Sequence, residues 1–474
     1  MALNIEQAPL TGMGSVYRPT PVGQQLIFTV SNPPAVANKF NVKFRADVFI
    51  SKSSIDLTTT TDRVGIFKTT PNNAGVGMFD FRPVLETFLK SDNEGSTYQN
   101  GSRYKTNDVT HPIHLIDKYA MSDNSIRFMA INFYTELSNT VGGTIRTTDP
   151  EASDLYIIFN GVIQHTDVLS LVKGNYGYDM NRPSNFFYTT LDGQFLSNAP
   201  TTQYATVDDY GTLPFFNFLP INLDKLTKIR ITYYFDGGSS TEDVNQNWTN
   251  GGLTNLTSRA DKYLMYFGGF PANLKNWSST FDTAVSNGLT HYTIQGMTTK
   301  GGVSYLSQLY TMQIICPNGS GYNKGYEMIR LAWLNQWGAW DYYTFTMKSI
   351  KSVSSRRIPY QQQAGTWNES RFKISGYKGG KKNFRVNTTE KIRINTDFVT
   401  EAEGVWLEEL VNSPEVYIIN KYQADISSEK ITNKYVEPVI LTTSDYVRKT
   451  IANDKLMQYT FEIEKSKMQR TQAV

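Results

Sequence analysis

Residues 331–347 read LAWLNQWGAWDYYTFTM and set six aromatic side chains, Trp333, Trp337, Trp340, Tyr342, Tyr343 and Phe345, within thirteen positions. A period of two places Ile329, Leu331 and Trp333 on one face of a strand. It places Tyr343, Phe345 and Met347 on one face of the next. Residues 335–340, with Gly338, make the turn between them. The stretch reads as a β-hairpin whose rings fill a core, with Trp337 and Trp340 at the turn and free to meet a partner.

Composition agrees with a β fold. Of 474 residues, 39% are hydrophobic and only 19% charged. Asn, Thr and Ser are abundant, and these residues divert hydrogen bonds into local turns, which disfavours long helices. Residues 40–50, FNVKFRADVFI, alternate with Phe40, Val42, Phe44, Ala46, Val48 and Ile50 on one face. Residues 126–134 alternate as well. After Pro71 a glycine-rich loop leads to a short helix, with Asp80 near its cap and Pro83 in its first turn. Asn160-Gly161, flanked by apolar runs, is a two-residue hairpin signal. Residues 228–238 read as a strand ending in a turn, and the polar stretch 237–256 as a long exposed loop. Residues 310–317 open a third part. One helix, 400–412, carries a capping box of Thr400 and Glu403, a stop at Pro414 and a buried stripe of Val399, Ala402, Trp406 and Leu410. Residues 415–419 and 459–464 read as further strands. The expected fold is all-β, several Ig-like or β-sandwich domains with one or two short helices, divided at 1–150, 151–300 and 301–474.

Several chemistries find little footing. The four histidines, His111, His114, His165 and His291, do not form a metal-ligand spacing, since Pro112 and strand geometry separate His111 from His114. Cys316, the single cysteine, excludes an intrachain disulfide and reads as a small buried hydrophobe. The glycine-rich PNGSGYNKG at 317–325 matches no phosphate-binding pattern, and no GxSxG elbow occurs. No cofactor is expected. Neither a secretory signal nor a membrane-spanning run is evident, so the seven Asn-x-Ser/Thr sequons carry no message. Asp341 and Glu369, near the aromatic stretch, are the best pair of carboxylates for glycan cleavage.

Charge is more informative. Residues 348–393 hold twelve Lys/Arg against Glu369 and Glu390, a balance of +10, which leaves 3 − 10 = −7 for the rest of the chain. Arg356, Arg357, Lys378, Lys381, Lys382 and Arg385 lie in this segment. A basic patch beside an acidic remainder suits contact between copies or a surface facing nucleic acid; solvated hairpin loops are the plainer reading.

The stretch RLAWLNQWGAWDYYTF resembles the W-L-N-x-x-G-x-W/F-D-x-F/Y-x-F signature of a group of tailed-phage virion proteins from phages of Bacteroidota, including crAss-like phages. VYRPTPVGQQLIFTVSN at Val16, FKTTPNNAGVGMFDFRPVLETFL at Phe67, IFNGVIQ at Ile158 and LEELVNSPEVYI at Leu407 are similar too, in the family's order and across nearly the whole chain. The resemblance implies a non-enzymatic building block of the tail or of the head-to-tail connection, with no catalytic residues. On that footing the expectation is a multicopy ring in the virion, made in the host bacterial cytoplasm. Its partners would be further copies, portal or tail proteins and packaged DNA, with no membrane anchor, and Trp337 and Trp340 would anchor the interface. Two other readings stay open: a tail-tip or baseplate module that binds host surface glycans through exposed aromatics, and a virion-associated glycan-cleaving enzyme using Asp341 and Glu369.

Overall fold

A computed structural model describes residues 3–9, 19–23, 25–53, 61–92, 118–122, 124–162, 168–172, 175–178, 194–216, 226–245, 263–300, 303–315, 326–366, 369–374, 379–419, 436–447 and 457–466. Strands dominate and sandwich packing recurs, so the chain is all-β. Among the described residues there are five short helices rather than one or two. Two compact units form, where three domains were expected. Unit 1 comprises Met1–Ile315 with Leu334–Asp341, and unit 2 comprises Cys316–Trp333 with Tyr342–Val474.

In unit 1 the first large sheet runs Pro19–Pro21, Tyr156–Phe159, Ile126–Ser138, Phe40–Ser51, Arg63–Thr69. A smaller sheet of Asn4–Gln7, Ile27–Ser31 and Val76–Asp80 closes over one face. Phe44, Ala46, Val48, Ile131 and Phe133 of the large sheet meet Phe28, Val30, Phe79 and Phe81 in one core. Phe28 makes edge contacts with Phe81 at 5.5 Å and Tyr156 at 5.6 Å between ring centres. The alternation expected along 40–50 holds from Phe44 onward, while Phe40 is exposed. The supposed loop before the short helix Arg82–Phe88 is the strand Val76–Asp80. Gly77 is glycine there because an added Cβ would come within 2.4 Å of the Phe44 ring. The Asp80 carboxylate accepts from the Arg82 amide at 3.1 Å, beside the helix start.

The opposite face of the same sheet changes character along its length. At one end Phe49, Ile126, Phe128, Ile157 and Phe159 join Leu196, Phe216, Tyr263 and Leu264 in a second core. At the other end charges pair along and across strands: Asp47 takes Arg45 of its own strand at 2.7 Å and Arg63 of the next at 3.2 Å, and Lys68 reaches Glu136 at 2.8 Å. The hairpin expected at Asn160-Gly161 does not form. Both edges of Tyr156–Phe159 are already taken, by Pro19–Pro21 in parallel and Ile126–Ser138 in antiparallel register.

The second large sheet runs Thr202–Ala205, Tyr310–Ile314, Leu289–Lys300, Lys228–Phe235, Gly238–Asn245. Most of the expected loop 237–256 that is described is therefore an edge strand, Gly238–Asn245, joined to Lys228–Phe235 by a turn at Asp236-Gly237. Residues 246–256 lie outside the described residues. Helix Ser279–Ser286 packs Phe281 against Tyr233 and Tyr292 of this sheet. A three-stranded sheet of Leu213–Phe216, Leu264–Phe267 and Tyr119–Met121 and a two-stranded one of Val168–Val172 and Asn175–Tyr178 also belong to unit 1. The boundaries expected at 150 and 300 cut through this pairing. Tyr119–Met121 serves a later sheet, Tyr156–Phe159 an earlier one, and Tyr310–Ile314 pairs with Thr202–Ala205 and Leu289–Lys300.

Unit 2 holds one seven-stranded sheet, in order Trp340–Phe345, Ile329–Leu334, Val416–Ile419, Val436–Leu441, Thr460–Lys465, Gly380–Asn395, Ile350–Gln362. The tip of its first hairpin, Leu334–Asp341, counts with unit 1. Helix Glu401–Asn412 starts at the capping box read from sequence: the Glu403 amide donates to Thr400 Oγ1 at 3.3 Å and the Thr400 amide to Glu403 Oε2 at 2.8 Å. Its buried stripe is Gly404, Trp406, Leu407 and Leu410, and Ala402 faces water. Trp406 rests 5.0 Å from Trp333 and 6.1 Å from Tyr343, so the aromatic hairpin does fill a core.

Truncating Trp406 to Ala is expected to cost about 3–5 kcal/mol, as large aromatic truncations in cores do. Urea titration of the unit 2 transition reads this, and an unchanged midpoint would contradict the packing. A second expectation concerns acid. Hydrogen bonds from Arg230 and Lys228 hold the Asp243 carboxyl below its ordinary 3.8, at about 2. The folded value is depressed, so its contribution is complete above 3.8 and fades as pH falls toward about 2. Hydrogen exchange of the Lys228–Asn245 hairpin should quicken over that window, and Asp243→Asn should remove the dependence.

Candidate interaction surface

The turn 334–341 is organised by Asn335. Its side-chain oxygen accepts the amides of Trp337 at 3.0 Å and Ala339 at 3.1 Å. Its Nδ2 donates to the Leu196 carbonyl at 2.9 Å and to Asp341 Oδ1 at 3.1 Å. The Gly338 amide closes the turn on the Asn335 carbonyl at 3.0 Å. Gly338 sits at φ +69°, and an added Cβ would lie 1.7 Å from the Asn160 carbonyl oxygen. The Gln336 carbonyl accepts the Val162 amide at 2.7 Å. The Asn-x-x-Gly pattern is thus a device for a buried turn.

That burial corrects two expectations. Trp337 is 2% exposed and belongs to the core with Phe49, Phe159 and Phe216. Trp340 is 0% exposed, and its indole Nε1 donates to the Asp92 carbonyl at 3.2 Å. Neither ring is available to a partner. A turn is ordinarily a surface feature; this one is covered because it completes a core of its own unit. Asp341 is 3% exposed and serves the same turn, while Glu369 is exposed and falls in the other unit. His291 stacks on Tyr234 at 4.5 Å. His111, His114, His165 and Cys316 lie outside the described residues, among which no cluster of three or more His, Cys, Asp or Glu could hold a metal. No described helix is long and apolar enough to cross a membrane.

The basic segment has a definite form. Ile350–Gln362 pairs with Gly380–Asn395 from Ile350 opposite Arg393 to Gln362 opposite Gly380, with a bulge at Ile358/Pro359. Only Lys391–Asn395 also pairs with Thr460–Lys465. Beyond it, residues 353–362 and their partners form a two-stranded ribbon. At about 3.3 Å per residue its free length is ~33 Å. Solvent reaches nearly every residue of both strands there. Sequence reading missed the ribbon because neither face is buried, so no apolar alternation marks it.

Charges at the foot of the ribbon are paired: Lys351 with Glu327 at 2.7 Å, Lys391 with Glu462 at 3.0 Å, and Glu390 with Lys465 at 3.6 Å. Farther out, Arg356, Arg357, Lys381, Lys382 and Arg385 have no carboxylate partner among the described residues; Arg385 bonds only to Asn387, at 2.8 Å. Lys378 lies outside the described residues. Register and alternation put Val353, Arg357 and Val386 on one face, and Arg356, Ile358 and Arg385 on the other. Val353 is 64% exposed, and Ile358, Tyr360 and Phe384 are also open to water. The ribbon combines unpaired cations, bare apolar groups and a free strand edge.

No family model matches the chain, and no curated protein matches it. Among solved structures, it is similar to the C-terminal domain of the Streptococcus pyogenes antigen I/II-family protein AspA at 8% identity, over 66% of this chain and 98% of that one. The TM-score of 0.12 is too low to carry an argument about fold or function.

Trp337→Ala is expected to destabilise unit 1 by about 3–5 kcal/mol. Denaturant titration checks it; a variant of unchanged stability that lost binding to a partner would return Trp337 to the surface.

Proposed function

We propose that the chain is a non-enzymatic structural protein of a tailed-phage virion, a multicopy building block that forms a ring in the tail or head-to-tail region. The observation that carries this reading is the exposed basic ribbon of Ile350–Gln362 and Gly380–Asn395. Bare apolar groups set among unpaired cations invite association with a partner that covers both. A ring joins unlike surfaces of identical copies, which the +10 segment and the −7 remainder offer. The ordered motifs that resemble phage virion proteins support the same reading. Partners would be further copies and other portal or tail proteins, and packaged DNA remains the competing claimant for the cations. The glycan-binding alternative relied on Trp337 and the cleaving alternative on Asp341; both residues are buried, so no observation favours either.

Light scattering of the purified protein across salt and protein concentration tests the proposal. A closed oligomer is expected, dissociating as salt screens the charges. Lys381→Glu with Lys382→Glu should lower its mass. A strict monomer under every condition would count against the proposal.

A further inference from the structure

We infer that the basic ribbon of one copy docks on the acidic sheet edge formed by residues 139–154 of a second copy. This rests on the assembly reading above and names the receiving surface.

Among the described residues that surface is a free edge. After Ile126–Ser138 the chain turns back and lies along the same strand, with Leu137 opposite Arg146, Glu136 opposite Thr147, Phe133 opposite Glu151 and Asn132 opposite Ala152. Backbone bonds from the Thr148 amide to Thr135 at 2.9 Å and from Ser153 to Ile131 at 2.8 Å continue the attachment. No strand among the described residues pairs with its outer side. Asp149, Glu151 and Asp154 stand exposed on it, and none has an ion-pair partner among the described residues. Arg146 is the one cation of the segment, giving 1 − 3 = −2. Nearer the turn of the same segment, Val141 is 81% and Ile145 56% exposed.

The two surfaces complement each other in three respects. Five unpaired cations face three unpaired carboxylates, and bare Val353, Ile358 and Val386 match bare Val141 and Ile145. The reach also agrees: residues 146–154 span ~30 Å at about 3.3 Å per residue, against ~33 Å for the ribbon. Asp243 is committed to Lys228 and Arg230, and Glu327 to Lys351, while the exposed Glu86, Asp282 and Glu401 stand on helices and Asp236 in a turn rather than along a free strand edge. A DNA backbone would neutralise the cations but leave the aliphatic groups wet, whereas a protein edge covers both.

The test uses two full-length variants. One carries Arg356→Glu, Arg357→Glu and Arg385→Glu; the other carries Asp149→Lys, Glu151→Lys and Asp154→Lys. Each alone should associate roughly tenfold or more weakly than the natural chain. Mixed in equal amounts they should reassemble, because the reversed ribbon of one meets the reversed edge of the other. Rescue on mixing is beyond the reach of a misfolded variant. If the ribbon variant dissociates while the acidic variant stays assembled, the receiving edge is wrong and the assembly proposal stands. If neither reversal changes the mass of a natural oligomer, or if the natural chain is a monomer, the docking is overturned. Duplex DNA binding lost in the ribbon variant, with oligomer mass unchanged, would assign the ribbon to nucleic acid and overturn it as well.

Discussion

Two-sided burial of the strands Ile126–Ser138 and Tyr156–Phe159 is the constraint on which unit 1 depends. Where a strand is apolar on both faces, both must be covered, and one partner sheet cannot do it. Met129, Ile131 and Phe133 take the small sheet of Asn4–Gln7, Ile27–Ser31 and Val76–Asp80 on one side. Ile126, Phe128, Ile157 and Phe159 require a second layer on the other, and Phe216, Leu264 and Trp337 supply it. The layering also explains why the chain does not divide near residue 150. Strands are recruited from distant segments because the faces needing cover outnumber the local strands available.

Legibility in the sequence followed burial. A strand with one wet and one dry face announced itself at Lys228–Phe235, and at Phe44 to Ile50 the apolar alternation marked one face although Asp47 and Phe49 are buried on the other. The capping box of Thr400 and Glu403 was readable because it is a local bond between residues three apart. Nonlocal facts were not. Asn160-Gly161 carries a hairpin signal, yet the strand before it has both edges occupied by chain more than twenty residues away. Gly77 resembled a loop residue until the Phe44 ring beneath it was in view.

The candidate site followed the same rule with the opposite sign. Aromatic density drew attention to Trp337 and Trp340, where the chemistry is structural. The ribbon was legible only as charge, since a strand pair exposed on both faces has no pattern to display. Arg356, Arg357, Lys381, Lys382 and Arg385 stand out in the sequence as a run of charge, while their place in one pair of strands is visible only in the pairing. Total charge marked the place, and pairing register supplied the shape.

The bulge beside Pro359 has a further consequence. Proline offers no amide hydrogen, and the bulge throws the strand out of step with its neighbour. An incoming strand would find the row of donors and acceptors along Ile350–Gln362 interrupted near its outer third, so hydrogen-bonded growth from copy to copy could not propagate past it. A projecting β element rich in bare valine, isoleucine and tyrosine would otherwise be a seed for fibrils. With that interruption the element can remain exposed at high concentration and still join through side chains, in contacts that close rather than run on.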